Sequence, residues 1–314
     1  MNIVLMESLG VDDSILNDYI LKLKDKGHDF KVYNRSDDIR VQKEQIKDAD
    51  IVIIANMPLS GEVISSAKRL KFINVAFTGV DHLDVSRAKG LGIDISNASG
   101  YSTESVCELT ICMILTLLRN VREVEKRCRE YKTKDGLVGS ELNGKVVGIV
   151  GTGKIGSRVA QILSAFGCKI LAYSGFSNKA DTDIITYLPL KEMLEMSDIV
   201  TLHCPISEKS RHIINKQTLS YMKKDAILIN TARGGVVDSS ALAWALNNDM
   251  IRAAAVDVFD VEPPLDDSEP LLKAKNTLLT PHIAFASKES MLKRAKIVFE
   301  NIDMWLLGKQ INKI

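Results

Sequence analysis

Two kinds of segment alternate along the chain. Residues 2–6, 50–54 and 71–76 are short and apolar throughout, whereas residues 12–26 carry apolar side chains at helical spacing. A strand that is apolar along its whole length is covered on both faces, as parallel strands flanked by helices are. The pattern therefore predicts a doubly wound α/β fold. A second series starts after Gly136, with strands predicted at 145–150, 169–173, 198–202, 226–230 and 252–256 and a short one at 277–280. Between the two series a long helix is expected from near Ser102 to beyond Arg119. Its middle, residues 111–118, is apolar on every side and belongs in a core. Polarity then inverts. Glu123 and Arg127, like Glu125 and Arg129, are spaced for ion pairs on one helix face, either at a solvated helix end or on a charged arm at a subunit contact. The last amphipathic stretch, 288–307, is expected to pack on the first series, so that one domain is split in sequence and another is inserted into it.

Composition narrows the function. Of 314 residues, 41 are Lys or Arg and 40 are Asp or Glu, a net charge of +1 that gives no global attraction to nucleic acid or an anionic membrane. With 46% hydrophobic and 26% charged residues, wholesale disorder is excluded. The cysteines Cys107, Cys112, Cys128, Cys168 and Cys204 are odd in number and form no CxxC pair, which argues against a disulfide framework or a zinc site and fits reduced thiols in a cytoplasm. No cluster of His, Cys and carboxylates suggests a metal. The first residues show no secretory signal pattern, and the longest dense apolar stretch is far short of the roughly 20 residues a spanning helix needs.

The most specific local motif is Gly151-Thr-Gly153-Lys-Ile-Gly156, between an apolar strand and an amphipathic helix. In that setting Gly151 makes a tight turn, Gly153 lets backbone approach a pyrophosphate, and Gly156 seats the helix close to the sheet, with the first amides of the helix facing the phosphates. A glycine-rich turn without a ligand is the alternative. At the end of the next strand, where an NAD site usually carries an acid for the adenosine ribose, stands Ser174, and the first acid is Asp181. Ser174, Ser177 and Lys179 are suited to a 2′-phosphate, so NADP is permitted and NAD is not excluded.

Three later strands run into polar residues. Residues 227–230 lead to Arg233 between small residues, 252–256 to Asp257 and Glu262, and 278–280 to Pro281 and His282. Ligands of open α/β sheets bind beyond the carboxyl ends of the strands. A guanidinium there binds a carboxylate, and an imidazole steadied by a carboxylate exchanges a proton with a hydroxyl or carbonyl oxygen. Each of these residues has a structural reading when taken alone; joint placement makes the case. Asp257 either bonds a carboxamide or satisfies backbone donors, and His203 is read as structural or as a neighbour of the cofactor loop.

With these residues in view, the sequence resembles the D-isomer-specific 2-hydroxyacid dehydrogenases over nearly its whole length. The matching segments are Asn74-VAFTGVDHLD-Val85, Asn97-ASGYST-Glu104, GTGKIG, Asn230-TARGGVVD-Ser239, AAAVDVFDVEP and TPHIAFAS. The resemblance implies a Rossmann cofactor domain (100–286) inserted into a flavodoxin-like substrate domain (1–99 and 287–314). It implies Arg233, Glu262 and His282 as the catalytic set and backbone amides around Thr78, Gly79 and Val80 as a carboxylate clasp. Lys154 and Ile155 would lie on the pyrophosphate, Ser174 at the ribose, and Cys204, Thr231, Ala232 and Asp257 along the nicotinamide half. It further implies a homodimer acting on a small 2-oxo or 2-hydroxy acid.

Phe285, where the family often has glycine, looks like the glycerate dehydrogenase/hydroxypyruvate reductase branch, so hydroxypyruvate and glyoxylate lead as substrates. The alternatives are a phosphoglycerate dehydrogenase, for which no cationic cluster is evident and whose appended regulatory domain is not expected here, and a dinucleotide-sensing protein like the dehydrogenase-fold corepressors. A formate dehydrogenase shares the fold but suits the Glu262–His282 pair poorly.

Overall fold

The computed structural model describes residues 1–175 and 179–314. Contacts divide the chain into two units, Met1–Ser102 with Ala286–Ile314, and Thr103–Phe285. In the first, strands β1 (Asn2–Leu5), β2 (Asp29–Val32), β3 (Ile51–Ile54), β4 (Phe72–Val75) and β5 (Asp94–Asn97) form a parallel sheet in the order β2-β1-β3-β4-β5. Helices α1 (Asp13–Asp25), α2 (Ile39–Ile46), α3 (Gly61–Ser66) and α4 (Val85–Gly90) connect these strands. The inner strands β3 and β4 are buried at every position; β3 is apolar throughout, and in β4 only Asn74 interrupts the run.

The second unit opens with α5 (Thr103–Leu118) and α6 (Val121–Arg129). Its sheet joins β6 (Val146–Val150), β7 (Lys169–Tyr173), β8 (Ile185–Tyr187), β9 (Ile199–Leu202), β10 (Ile227–Asn230), β11 (Ala253–Val256) and β12 (Thr277–Leu279), all parallel, in the order β12-β11-β10-β9-β6-β7-β8. Its other helices are α7 (Lys154–Ala165), α8 (Leu190–Met196), α9 (Lys216–Leu219) and α10 (Ser239–Asn247). Strand order reverses between β9 and β6, which opens a crevice at their carboxyl ends beside the start of α7. The long helix expected past Arg119 is in fact two. Asn120 adopts a left-handed φ of 52°, which asparagine tolerates better than most residues, and breaks the run. The break lets the apolar α5 stay in the core while α6, with no buried residue, lies in solvent. On α6 both anticipated ion pairs form, Arg127–Glu123 at 3.9 Å and Arg129–Glu125.

The final helix, α11 (Lys288–Leu306), belongs to the first unit, where it packs on β4. Phe72 stacks on Trp305 with ring centroids 5.0 Å apart, and the Trp305 indole donates to Asp94 at 2.8 Å. A network of amides, three of them buried, also joins α11 to the sheet. Asn301 donates to Asn74 Oδ1 and to the Asn97 carbonyl, both at 3.0 Å, and accepts from Asn312 at 2.8 Å. Asn74 donates to the Val298 carbonyl, and Asn97 to that of Thr78, each at 2.7 Å. Removing one member strands several buried polar groups. Asn301→Ala is therefore expected to lower stability by about 2–4 kcal/mol, read as a lower urea midpoint with unchanged slope; a midpoint within experimental error of the wild type would contradict the network's role.

Candidate active site

Strand β6 is followed by Gly151, whose φ of 90° turns the chain sharply toward α7. At Gly156 an added Cβ would lie 2.0 Å from the Gly151 carbonyl oxygen and 3.3 Å from His203 Cβ, so only glycine lets α7 come this close. A Cβ at Gly153 would meet nothing within 4 Å. Gly153 also caps α7 without a side-chain acceptor, so the helix's first amides, from Lys154 and Ile155 onward, are not capped by a side chain and adjoin open space. That combination fits a dinucleotide pyrophosphate, which Gly151, Gly153, Lys154, Ile155 and Gly156 could hold.

The neighbouring side chains divide by direction. The Cys204 thiol is buried in the core, where desolvation pushes it up to about 11, while its backbone packs against the Gly151 turn. Thr231 is buried and its hydroxyl bonds that of Thr110 on α5 at 3.0 Å, so the neighbours of the expected nicotinamide half face inward as well as toward the cleft. Ala232 donates its amide to Asn230 Oδ1 at 3.1 Å and accepts from Arg233 at 2.8 Å. Ser174 follows β7 directly, and Ser177 lies outside the described residues.

His203 leaves β9 beside the glycine turn. Its Nε2 is 2.9 Å from Thr201 Oγ1, and its buried Nδ1 has no hydrogen-bond partner. Burial pushes its pKa down to about 3, so the ring is neutral at working pH and is no second base. The unfolded chain protonates an ordinary histidine near 6.5, and the folded chain does not. Stability is thus expected to fall as pH drops from about 6.5 toward 3, by up to about 1.4 kcal/mol per unit from this residue alone. His203→Gln should flatten that acid limb in urea titrations; an unchanged slope would assign it to other groups.

Arg233, Glu262 and His282 all lie in the second unit, on loops that follow β10, β11 and β12. The backbone holds these loops together. Gly234 lies so close to the Phe259–Asp260 peptide that a Cβ there would come within 1.9 Å of the Phe259 carbonyl carbon. Asn230 donates to the Arg233 carbonyl at 3.0 Å and fixes the turn. His282 Nδ1 and Glu262 Oε2 are 2.6 Å apart, the imidazole mostly buried (14% exposed) and the carboxylate half-exposed. His282 takes a left-handed φ of 54°, and its amide donates to the Asp257 carbonyl at 2.7 Å.

Of the two readings of Asp257, the hydrogen bonds follow the second. Its fully buried carboxylate accepts from Thr280 Oγ1 at 2.5 Å and from the amides of Ile283 and Ala284 at 2.8 and 2.9 Å. Asp257 thus builds the turn that presents His282. Phe285, singled out in the sequence as a family departure, sets its ring edge-on to His282 at 5.4 Å, a contact the sequence did not reveal. Thr280, directly before Pro281 and His282, was the one available signal for this support. Thr78, Gly79 and Val80 follow β4 in the first unit, where Thr78 is exposed and Gly79 and Val80 are half-buried. Among the described residues no group of three His, Cys, Asp or Glu is placed to hold a metal, and no helix is long and apolar enough to cross a membrane.

A glycine turn into a helix start at one strand end, with a carboxylate-backed imidazole and an arginine on loops at others, is the arrangement of a dinucleotide-dependent oxidoreductase. Comparison with known proteins narrows the class. Residues 111–284 match the model of the D-isomer specific 2-hydroxyacid dehydrogenase NAD binding domain. A glyoxylate reductase of Korarchaeum cryptofilum is 38% identical over 275 residues, covering 85% of this chain and 82% of that one. A hydroxypyruvate reductase of Blautia hydrogenotrophica is 35% identical over 295 residues, covering 90% and 91%. Among solved structures, an acyclic imino acid reductase in complex with NADPH and D-Arg superposes with a TM-score of 0.91 at 29% identity over the whole of both chains. The chain belongs to the D-isomer-specific 2-hydroxyacid dehydrogenase family: it is an oxidoreductase of CH–OH donors that uses NAD or NADP and interconverts a 2-oxo acid and its 2-hydroxy acid.

Proposed function

We propose that the chain reduces glyoxylate and hydroxypyruvate to the corresponding 2-hydroxy acids, with Arg233, Glu262 and His282 as its catalytic residues. The observation that carries this reading is the 2.6 Å Glu262–His282 pair in the same unit as the phosphate cradle. A nicotinamide cofactor, when bound, would supply the hydride for the carbonyl carbon. Arg233 grips the substrate carboxylate through its planar fork of donors and polarises the adjacent carbonyl. His282 delivers a proton from Nε2, the nitrogen away from Glu262, to the oxygen as negative charge develops there. Glu262 stabilises the imidazolium before that transfer, and in the reverse direction the neutral ring takes the proton from the hydroxyl. The roles of Thr78, Gly79 and Val80 as a carboxylate clasp rest on the family resemblance alone.

The names of the relatives favour small substrates, and Phe285 beside His282 agrees with that choice. The deciding experiment is a panel of glyoxylate, hydroxypyruvate, 3-phosphohydroxypyruvate, pyruvate and longer 2-oxo acids with both reduced cofactors. Highest kcat/KM on the first two supports the reading; preference for the phosphorylated acid replaces it with phosphoglycerate oxidation, and turnover of none removes it. We further propose a cytoplasmic homodimer. The wholly unburied α6 and the exposed Val121, Tyr131 and Val138 near it support a subunit contact there. Light scattering at the mass of a 34.7 kDa monomer would reject the dimer.

A further inference from the structure

The loop that follows β4, assigned to the substrate carboxylate by resemblance, takes its shape from the next strand. Asn97, the last residue of β5, is buried and tied in several directions. Its backbone amide donates to the Asn312 carbonyl at 3.1 Å, and its carbonyl accepts from Asn301 at 3.0 Å. Its side-chain oxygen accepts from the Ser99 amide at 3.2 Å, which leaves Nδ2 to donate to the carbonyl of Thr78 at 2.7 Å. One residue on, the Ala98 amide donates to the carbonyl of Phe77 at 3.0 Å. Asn97 and Ala98 thus draw two successive carbonyls of the loop toward the end of β5.

Peptide planarity decides what the other side of the loop presents. In a trans peptide the C=O and N–H bonds point in opposite directions. The carbonyls of Phe77 and Thr78 are turned toward β5, so the amides of Thr78 and Gly79, which share those peptide planes, are turned away from it. Among the described residues these two amides, and that of Val80, donate to no acceptor. Thr78 is exposed and Gly79 and Val80 are half-buried, so the donors are accessible. Successive backbone amides of this kind form a concavity for an anion. This one stands at the carboxyl end of an inner strand, where open α/β sheets bind ligands. A carboxylate, which only accepts, is its complement.

We propose that Asn97 is a positioning residue for the substrate: by fixing the Thr78 carbonyl it aims the Gly79 amide, beside that of Thr78, at the carboxylate of the 2-oxo acid. The proposal rests on the reading of the chain as a 2-oxo acid reductase. Asn97→Asp keeps the size and the acceptor but, when ionised, has no donor for Thr78, and Asn97→Ala removes both arms. In each, KM for glyoxylate or hydroxypyruvate at saturating cofactor is expected to rise about ten-fold or more, the worth of one hydrogen bond to a charged group, while kcat changes less. Calorimetric affinity for NADPH and NADH should stay near that of the wild type, because the glycine cradle lies in the other unit. Ser96→Ala is the control. It removes a bond from a buried side chain of the same strand to the Ile311 carbonyl, away from the loop, and should leave KM unchanged. An unchanged KM in Asn97→Asp, or an equal rise in Ser96→Ala, would overturn the proposal. A second readout uses the wild type and oxamate, in which an amide carbonyl stands for the ketone and takes no hydride. Added to the cofactor-loaded chain, oxamate should move the Thr78 and Gly79 amide proton resonances downfield. Resonances that stay in place would overturn the proposal even where the variants fail to fold. A wild type that shows these shifts yet reduces no 2-oxo acid keeps the anion clasp and discards the reaction proposed above.

Discussion

Replacing His282 with alanine is expected to lower kcat by about 10²-fold or more, the usual contribution of a positioned general acid, while dinucleotide affinity stays near that of the wild type. The reasoning is local. The imidazole is mostly buried, its Nδ1 is 2.6 Å from Glu262, and its backbone is fixed by the Asp257 carbonyl. A ring held this firmly serves one geometry, and water in the space left by alanine is a weaker and poorly placed proton donor. Glu262→Gln retains a hydrogen-bonding side chain but loses the charge, so its kcat is expected to fall between those of the wild type and His282→Ala. Steady-state kinetics with cofactor saturating, paired with cofactor titration, separate the outcomes. Turnover of His282→Ala within a few-fold of the wild type would remove this residue from proton transfer.

Arg233→Ala is expected to cut kcat/KM for the 2-oxo acid by about 10²- to 10³-fold, through loss of a charge-assisted two-point contact and of carbonyl polarisation. Arg233→Lys should recover only part of this, because an ammonium is a point charge and cannot present the guanidinium's fork. Cofactor affinity should hold in both variants. If KM and kcat for the acid are unchanged in Arg233→Ala, the carboxylate is gripped elsewhere and the assignment fails.

What the sequence revealed and what it concealed follow from where each residue sits. The inner strands announced themselves because burial on both faces demands predominantly apolar runs: β3, β4, β9, β10 and β11 are buried throughout, with at most one polar residue each. Three edge strands escaped detection. In β2 only Phe30 is buried, β8 is three residues long, and β5 reads DISN, its Ser96 and Asn97 tolerated inside by hydrogen bonds to distant chain. An edge strand lacks the second neighbour that would force such a run. The glycine motif was legible because its strand–turn–helix setting is local. The polar residues at the strand ends were legible because parallel topology gathers those ends together. The Asn301 network was not, since it joins residues more than 200 positions apart. For Asp257 the sequence left two readings open, a carboxamide contact or local backbone donors, and could not say which donors: they come from residues 280–284.

The peptide of Phe259–Asp260 lies against Gly234 with no room for even a methyl group. The loop bearing the guanidinium and the loop leading to the carboxylate are therefore mechanically one part. An engineer seeking to admit bulkier acids cannot lengthen one of them without dragging the other. Successful redesign should instead come from trimming or swapping side chains around a frame that is left alone.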